Sequence, residues 1–523
     1  MVDGRRSLFW LVEKRVVVRP QTAKHVAWFR AQNVLRFFLR LSSLFHRTIL
    51  AIRCRHFHCY PRWPLFIYCC LPWTLQLPTV LSMSPLVEQL RANDPALTSI
   101  DLVFEGDELG GNHAKENVND LAEALCSNKT VTVVSLRVTQ TEDEQRWVVP
   151  QWIPILRAVA KIDTLQDLSV SAFYDRTGKH TLRLTAVSAL LRQASNLQKL
   201  TLDAVGFLDD DDSKCFGVLQ DVCRQHESLQ HLQITNYYFS QFRLPDWWSQ
   251  STRLMQAITA LPTVTTLKLS SAAPMCRRPN LTLECLNSLF SLPTLTSLSL
   301  QDLVLWGSGS GSVTAASLRQ NSKLEALELH SCILAGDESI LAGLGGNTTL
   351  HTLDMTDSDL SMEAVAMAEA LLTNKTLQSC NISKARLGGE EETHHANLSR
   401  IVRALEKHPA LTVLDIQGMH SYIYQDGLRP LTFIRSALDS IIQVLQNNRV
   451  LVDICMDEAL NEGIFASQRS DVNYFLGLNR SGYWELSQAT SEPTEWTDSL
   501  ATVRDEVGCL FRLLRVNPLL CQL

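Results

Sequence analysis

Four soft ligands, Cys54, His56, His58 and Cys59, crowd into a six-residue stretch. Their C-x-H-x-H-C spacing is not that of a closed zinc site, so no metal is expected there. Asp209 to Asp212 offer four carboxylates just ahead of a helical run holding Leu219, Val222 and Cys223. Acids at a helix start interact favourably with its unpaired N–H groups, and that reading is preferred to a cation site. Glu390 to Glu392, followed by His394 and His395, read the same way, as a solvated helix start. The Gly307–Ser312 run lacks the lysine that a phosphate loop needs and reads as a flexible turn. Neither H-E-x-x-H nor G-x-S-x-G occurs. The residues therefore predict a non-enzyme with no catalytic group, no cofactor and no resident metal.

Any function must then be carried by a surface, and a repeat dictates which surface. An apolar triplet at i, i+3 and i+5 begins at Leu97, Val131, Leu165, Leu197, Leu229, Val264, Leu295, Leu324, Leu350, Leu377, Leu411 and Leu451. Successive starts lie 26 to 40 residues apart, the range of a solenoid. Each triplet alternates as a short strand does. Ten, seven and six residues before a triplet stands a second apolar set with helical spacing. Examples are Ile155, Ala158 and Val159, and Ile441, Val444 and Leu445. Asn128, Asn321, Asn347, Asn374 and Asn448 stand three residues before a triplet, where a left-handed asparagine would end the helix. Pro95, Pro262, Pro293 and Pro409 stop the helix one place later in other repeats. A single unit of this size cannot bury its own faces, so stability requires stacking.

The run Leu324, Leu327, Leu329, Cys332, Leu334 spells L-x-x-L-x-L-x-x-C-x-L. With a full helix per unit, it resembles the ribonuclease-inhibitor type of leucine-rich repeat over about Met83 to Met456. The resemblance implies an α/β leucine-rich-repeat solenoid, a horseshoe of about twelve repeats with an inner parallel sheet and outer helices. It also implies protein ligands bound along the concave sheet or its rim. The chain departs from the pattern at the Asn/Cys position, where Ser358, Ala385, Val205, Leu303 and Met419 stand. A weak side-chain ladder is expected inside that turn.

The outward strand positions give the candidate partner-binding residues. Those that carry charge are Asp101, Arg137, Asp167, Lys199, Asp203, His231, Lys268, Glu328, His330, Asp354 and Asp415. Aromatic anchors carry much interface energy. They are missing from these strand positions but occur as Tyr237, Tyr238, Trp247 and Trp248 in the connection after the Leu229 triplet. There they can hold a partner or fold onto the solenoid itself.

Composition divides the chain of 523 residues. Hydrophobic residues make up 46% and charged residues 20%, ordinary for a long globular core. Residues 1–82 hold 13 Lys/Arg against Asp3 and Glu13, a net +11, so the overall −6 leaves −17 for residues 83–523. The basic, aromatic-rich leader 1–82 shows no repeat phase. It reads as non-native sequence ahead of Met83, as an Arg-rich organellar presequence, as a signal anchor over residues 63–87, or as a folded basic domain. Residues 83–463 form the solenoid and 464–523 a carboxy-terminal cap. In the cap Tyr474–Asn479 is a short apolar stretch and Leu500, Val503, Val507, Leu510, Phe511 and Leu514 outline a final helix. The 14 cysteines show no paired framework and favour a reducing compartment, with the cytoplasm expected. Glycosylation sequons at Asn128, Asn347 and Asn374 coincide with the helix-stop positions, and turn geometry explains them.

The expected function is a non-catalytic, monomeric interaction scaffold. The negative body favours a basic protein ligand, with no nucleic acid expected and a membrane only through residues 63–87. Alternatives of the same repeat type are a GTPase-activating or other regulatory protein and a substrate receptor of a ubiquitin ligase.

Overall fold

Each repeat folds because its two apolar sets can meet only if the strand lies against the helix that precedes it. The computed structural model describes residues 84–105, 112–139, 152–171, 184–203, 206–207, 212–239, 247–271, 280–307, 311–336, 339–418, 431–457 and 465–481. The described elements begin with α1 (Ser84–Ala92), β1 (Ser99–Glu105), α2 (Asn112–Ser127), β2 (Val133–Thr139), α3 (Trp152–Val159), β3 (Asp167–Ser171), α4 (Leu184–Gln193) and β4 (Lys199–Asp203). They continue with β5 (Gly206–Phe207), α5 (Asp212–Gln225), β6 (His231–Phe239), α6 (Trp247–Ile258), β7 (Thr266–Ser271), β8 (Asn280–Thr282), α7 (Leu283–Phe290) and β9 (Ser297–Gln301). Then come β10 (Val304–Gly307), α8 (Gly311–Gln320), β11 (Ala326–His330), β12 (Ile333–Gly336), a 3₁₀ helix (Leu341–Gly346) and β13 (Thr352–Asp354). The last are α9 (Ala364–Thr373), β14 (Ser379–Asn381), α10 (Glu391–Ala404), β15 (Val413–Asp415), α11 (Leu431–Asn447), β16 (Asp453–Cys455) and α12 (Ala466–Ser481).

The main sheet runs β1-β2-β3-β4-β6-β7-β9-β11-β13-β14-β15-β16, one strand for each triplet, with β5 paired to β6. Its pairings are parallel and bring the same repeat position opposite itself, as in Leu168–Leu200 and Leu353–Cys380. All twelve triplets are buried, and Leu200, Leu298 and Leu353 are fully so. The helix sets Ile155, Ala158, Val159 and Ile441, Val444, Leu445 face them in one continuous core. The fold is an α/β leucine-rich-repeat solenoid with its core between strand and helix layers.

The asparagines before the triplets do not adopt the left-handed conformation. Asn347 (φ −73°, ψ 136°) and Asn374 (φ −68°, ψ 141°) are extended. Their side chains work instead as buried clamps. The Asn374 amide donates to the Leu344 carbonyl of the preceding repeat at 2.7 Å. Its Oδ1 accepts from the backbone N–H of Thr376 at 3.0 Å and of Leu377 at 2.8 Å. Asn128, Asn321, Asn347 and Asn448 repeat the pattern on Leu90, Phe290, Leu318 and Leu405. Histidines hold the position elsewhere: His408 Nδ1 accepts from the Leu411 N–H at 3.0 Å, and His226 Nε2 lies 3.1 Å from the Ala194 carbonyl. Burial depresses the pKa of both imidazoles. A second ladder, unforeseen from sequence, lies one residue before the triplet. The hydroxyls of Thr130, Thr164, Ser228, Thr263, Thr294 and Thr376 each donate to a carbonyl one repeat back.

Asn93, directly after α1, is left-handed (φ 51°), but the other left-handed residues lie at the turn where the chain leaves the strand. Asp302, Ser331, Asp357, Lys384 and Gly418 have φ between 51° and 67°, each directly before the repeat's Asn/Cys position. The expectation of a weak ladder there needs correction at Ser358. Its hydroxyl accepts from the Cys332 N–H at 3.0 Å and donates to the Leu329 carbonyl, while Cys332 Sγ reaches the Leu300 carbonyl at 3.4 Å. Beyond this turn β8, β10 and β12 form a small parallel sheet of their own.

Not every unit has an α-helix. The shortest step, Leu324 to Leu350, holds only the 3₁₀ helix, packed between α8 and α9. A Cβ on Gly343 would lie 2.3 Å from the Ala315 carbonyl oxygen, and one on Gly345 would lie 2.5 Å from Thr373 Oγ1. Glu363, buried in the next unit, accepts from the N–H groups of Ile340 and Leu341 at 3.1 Å and from the Ser339 hydroxyl. It caps a helix it does not belong to. Gly311 and Ser312 open α8 rather than a turn, and Tyr474–Asn479 lies inside α12 rather than in a short stretch. The expected final helix, the leader 1–82 and Asp209 to Asp211 lie outside the described residues.

Candidate functional site on the open sheet face

The side of the main sheet turned away from the helices is built from the alternate strand residues. Most of these are half-buried or exposed where their neighbours are buried, as the alternation in β3, β4 and β11 shows, while Ser299 of β9 is buried. Parallel register lines them into rows. One row runs Asp101, Ser135, Ser169, Thr201, Gln233, Lys268, Ser299, Glu328, Asp354, Asn381, Asp415 and Cys455. Asp167, Lys199 and His231 are consecutive in the row beside it.

The two halves of this face differ in charge. In the amino-terminal half, Arg137 Nη2 donates to Asp101 Oδ2 at 2.6 Å and Lys199 Nζ to Asp167 Oδ2 at 2.8 Å. Asp203 accepts from the hydroxyls of Ser171 at 3.1 Å and Thr235 at 2.8 Å. His231 is exposed and Lys268 half-buried. The six strands from β9 onward in the main sheet contain no Lys or Arg. They carry Glu328, His330, Asp354, Asp415 and Asp453, with Asp457 just beyond.

Neutral donors hold these acids in place. Asp354 accepts from Asn381 Nδ2 at 3.0 Å and from the Thr356 hydroxyl at 2.6 Å. The Gln417 N–H donates to Asp415 at 2.9 Å and the Gly418 N–H to Asp457 at 2.6 Å. His330 Nε2 stands 3.7 Å from both Glu328 and Asp354. The Asp415 carboxyl is pushed above the usual carboxylate range, chiefly by burial and then by the charges of Asp354, Asp457 and Asp453, against the Gln417 hydrogen bond. Burial, together with Asp415 and Asp453, also raises the Cys455 thiol. Arg480 of α12 approaches Asp453 at 3.9 Å. Such a surface attracts cations. Among the described residues no three His, Cys, Asp or Glu side chains are grouped to hold a metal ion.

The aromatic candidates stand elsewhere than expected. Tyr237 and Tyr238 belong to β6 rather than to a connection, with Tyr237 opposite Ser271 after a register shift and Tyr238 opposite Gly206. Trp247 and Trp248 open α6. Their side chains lie outside the described residues. His394, expected to be solvated, is buried, and its Nδ1 accepts from the Leu387 N–H at 3.2 Å. Among the described residues no helix is long and apolar enough to cross a membrane.

No family model matches the chain, and no curated protein matches it. Solved structures with partial likeness include the actin-binding site 2 of leiomodin-1, 20% identical over 32% of this chain and 89% of that one, with a TM-score of 0.25. The tropomodulin C-terminal domain of Caenorhabditis elegans is 15% identical over 35% of this chain and 93% of that one, at 0.21. The TLR13–ssRNA13 complex gives 14% identity over 75% of this chain, which spans about half (51%) of the matched chain, at 0.36. At these scores the likenesses carry no inference about ligand or activity.

Proposed function

We propose that this chain is a non-catalytic interaction scaffold of the ribonuclease-inhibitor repeat type. In this reading it acts as a cytoplasmic monomer and holds a basic protein segment on the carboxy-terminal half of its open sheet face. The observation that carries the reading is the row Glu328, Asp354, Asn381, Asp415, set on strands without a single Lys or Arg. Adjacent strands stand about 4.8 Å apart, so Glu328, Asp354 and Asp415 fall within roughly 15 Å along the row, close enough for the long side chains of one Lys/Arg-rich segment to reach them together. Electrostatic complementarity of this kind sets on-rate and specificity.

A fluorescent Lys/Arg-rich peptide, followed by anisotropy, tests this. Asp354→Asn combined with Asp415→Asn should weaken binding about tenfold or more. Asp167→Asn, whose carboxylate already serves Lys199, should leave binding nearly unchanged. Because the Asp415 pKa is raised, affinity should climb as pH rises through that value, and Asp415→Asn should flatten the climb. Equal affinity for an acidic peptide, or indifference to the double substitution, rejects the reading.

A further inference from the structure

The helix layer contains a second surface of opposite character. Helix α9, AVAMAEALLT, has Glu369 as its one charge and is apolar on nearly every side. A helix apolar all round is normally buried. Here Val365 is 40% exposed and Leu372 67% exposed, with Met362 just before the helix at 71%. Beside them opens a groove of about 640 Å³ between α9 and α10, lined by Ala368, Glu369 and Leu372 on one side and Ala396, Arg400 and Arg403 on the other. Arg400 and Arg403, three apart, share a helix face. Both are exposed, and neither forms a salt bridge among the described residues. Apart from Glu369, one wall is therefore apolar, and the other is cationic through Arg400 and Arg403.

We infer that this groove docks an amphipathic helix of a partner protein, with its apolar stripe on Leu372 and Val365 and its flanking carboxylates on Arg400 and Arg403. The two-sided chemistry selects the occupant. A purely apolar segment would leave the arginines without anions, and a basic one would be repelled by them. Length agrees as well: α9 spans about 15 Å and α10 about 21 Å, room for roughly three turns of a third helix seated as a ridge in the groove. The site is separate from the open sheet face and has the reverse charge preference.

Three labelled peptides of equal length test this on the full chain: a Leu-striped helix flanked by Glu, its sequence-scrambled form, and the same stripe flanked by Lys. The acidic helix should bind and gain helicity, and the other two should bind at least tenfold more weakly. Leu372→Asp should lower its affinity at least tenfold. Arg400→Glu with Arg403→Glu should transfer preference to the Lys-flanked peptide. All three residues are exposed, so the melting temperature should not move, and basic-peptide binding on the sheet face should persist. The inference is overturned if the acidic helix does not bind, if the scrambled peptide binds as well, or if the chain prefers anionic vesicles to all three peptides. It is also overturned if sedimentation shows a dimer that Leu372→Asp dissolves, since a second copy would then be the occupant.

Discussion

A single asparagine position accounts for much of the order in this molecule. The buried Asn374 side chain satisfies two backbone N–H groups of its own turn and two carbonyls of the repeat before it, those of Leu344 and Asn347. A buried backbone group left without a partner costs about 1–3 kcal/mol. Asn374→Ala orphans several, and urea unfolding should show a loss of at least ~2 kcal/mol. Asn196 donates to the Asp163 carbonyl at an exposed site, and Asn196→Ala should change stability by less than about 0.5 kcal/mol. The spacing of these residues was legible in the sequence, but their action was not. An asparagine that ends a helix by its backbone and one that ties two repeats by its side chain leave the same trace in one repeat. What separates them is the carbonyl of another repeat, roughly thirty positions away. The same reasoning covers Asn479, which donates to the Leu451 carbonyl at 2.5 Å and was visible in the sequence only as the end of the Tyr474–Asn479 apolar stretch.

At the scale of elements, strands were the most legible and the short helix the least. Alternation and burial coincide in all twelve triplets because a strand's faces are set by its own sequence. The 3₁₀ helix is set by its neighbours: Gly343 and Gly345 let α8 and α9 close on it, a contact no local pattern reveals. Gly343→Ala should cost about 1–3 kcal/mol, since Ala315 and Leu318 leave no room. Gly217→Ala, in α5 with nothing within 4 Å of the added carbon, should stabilise by about 0.5–1 kcal/mol. Thermal melts of the two variants should therefore shift in opposite directions. The cap on this helix also titrates. Burial raises the Glu363 pKa above its ordinary 4.5, outweighing the hydrogen bonds from Ser339, Leu341 and Ile340. The contribution of this group is fully present below pH 4.5 and is lost as pH rises through the raised folded value. The stability of the native chain relative to Glu363→Gln should thus decline as pH rises from 4.5 through the raised value. A difference that stays constant over that range contradicts the assignment.

Over the whole molecule, sequence periodicity foretold a stacked α/β array and its outward rows. It could not foretell which charges on those rows are already paired, because Arg137–Asp101 and Lys199–Asp167 each join residues of different repeats. Nor could it foretell the groove, which exists only where two helices from successive units lie side by side. The clamps share one further property, their direction. The amides of Asn128, Asn321, Asn347, Asn374, Asn448 and Asn479 all donate backward to an earlier unit, as do the threonine hydroxyls, and Glu363 likewise accepts from earlier N–H groups. A newly synthesised unit therefore stays unsealed until its successor leaves the ribosome. For these side-chain clamps the two ends respond unequally to shortening: trimming from the front idles a few amide and hydroxyl donors in solvent, whereas trimming from the back uncovers carbonyls that the missing unit's side chains had met.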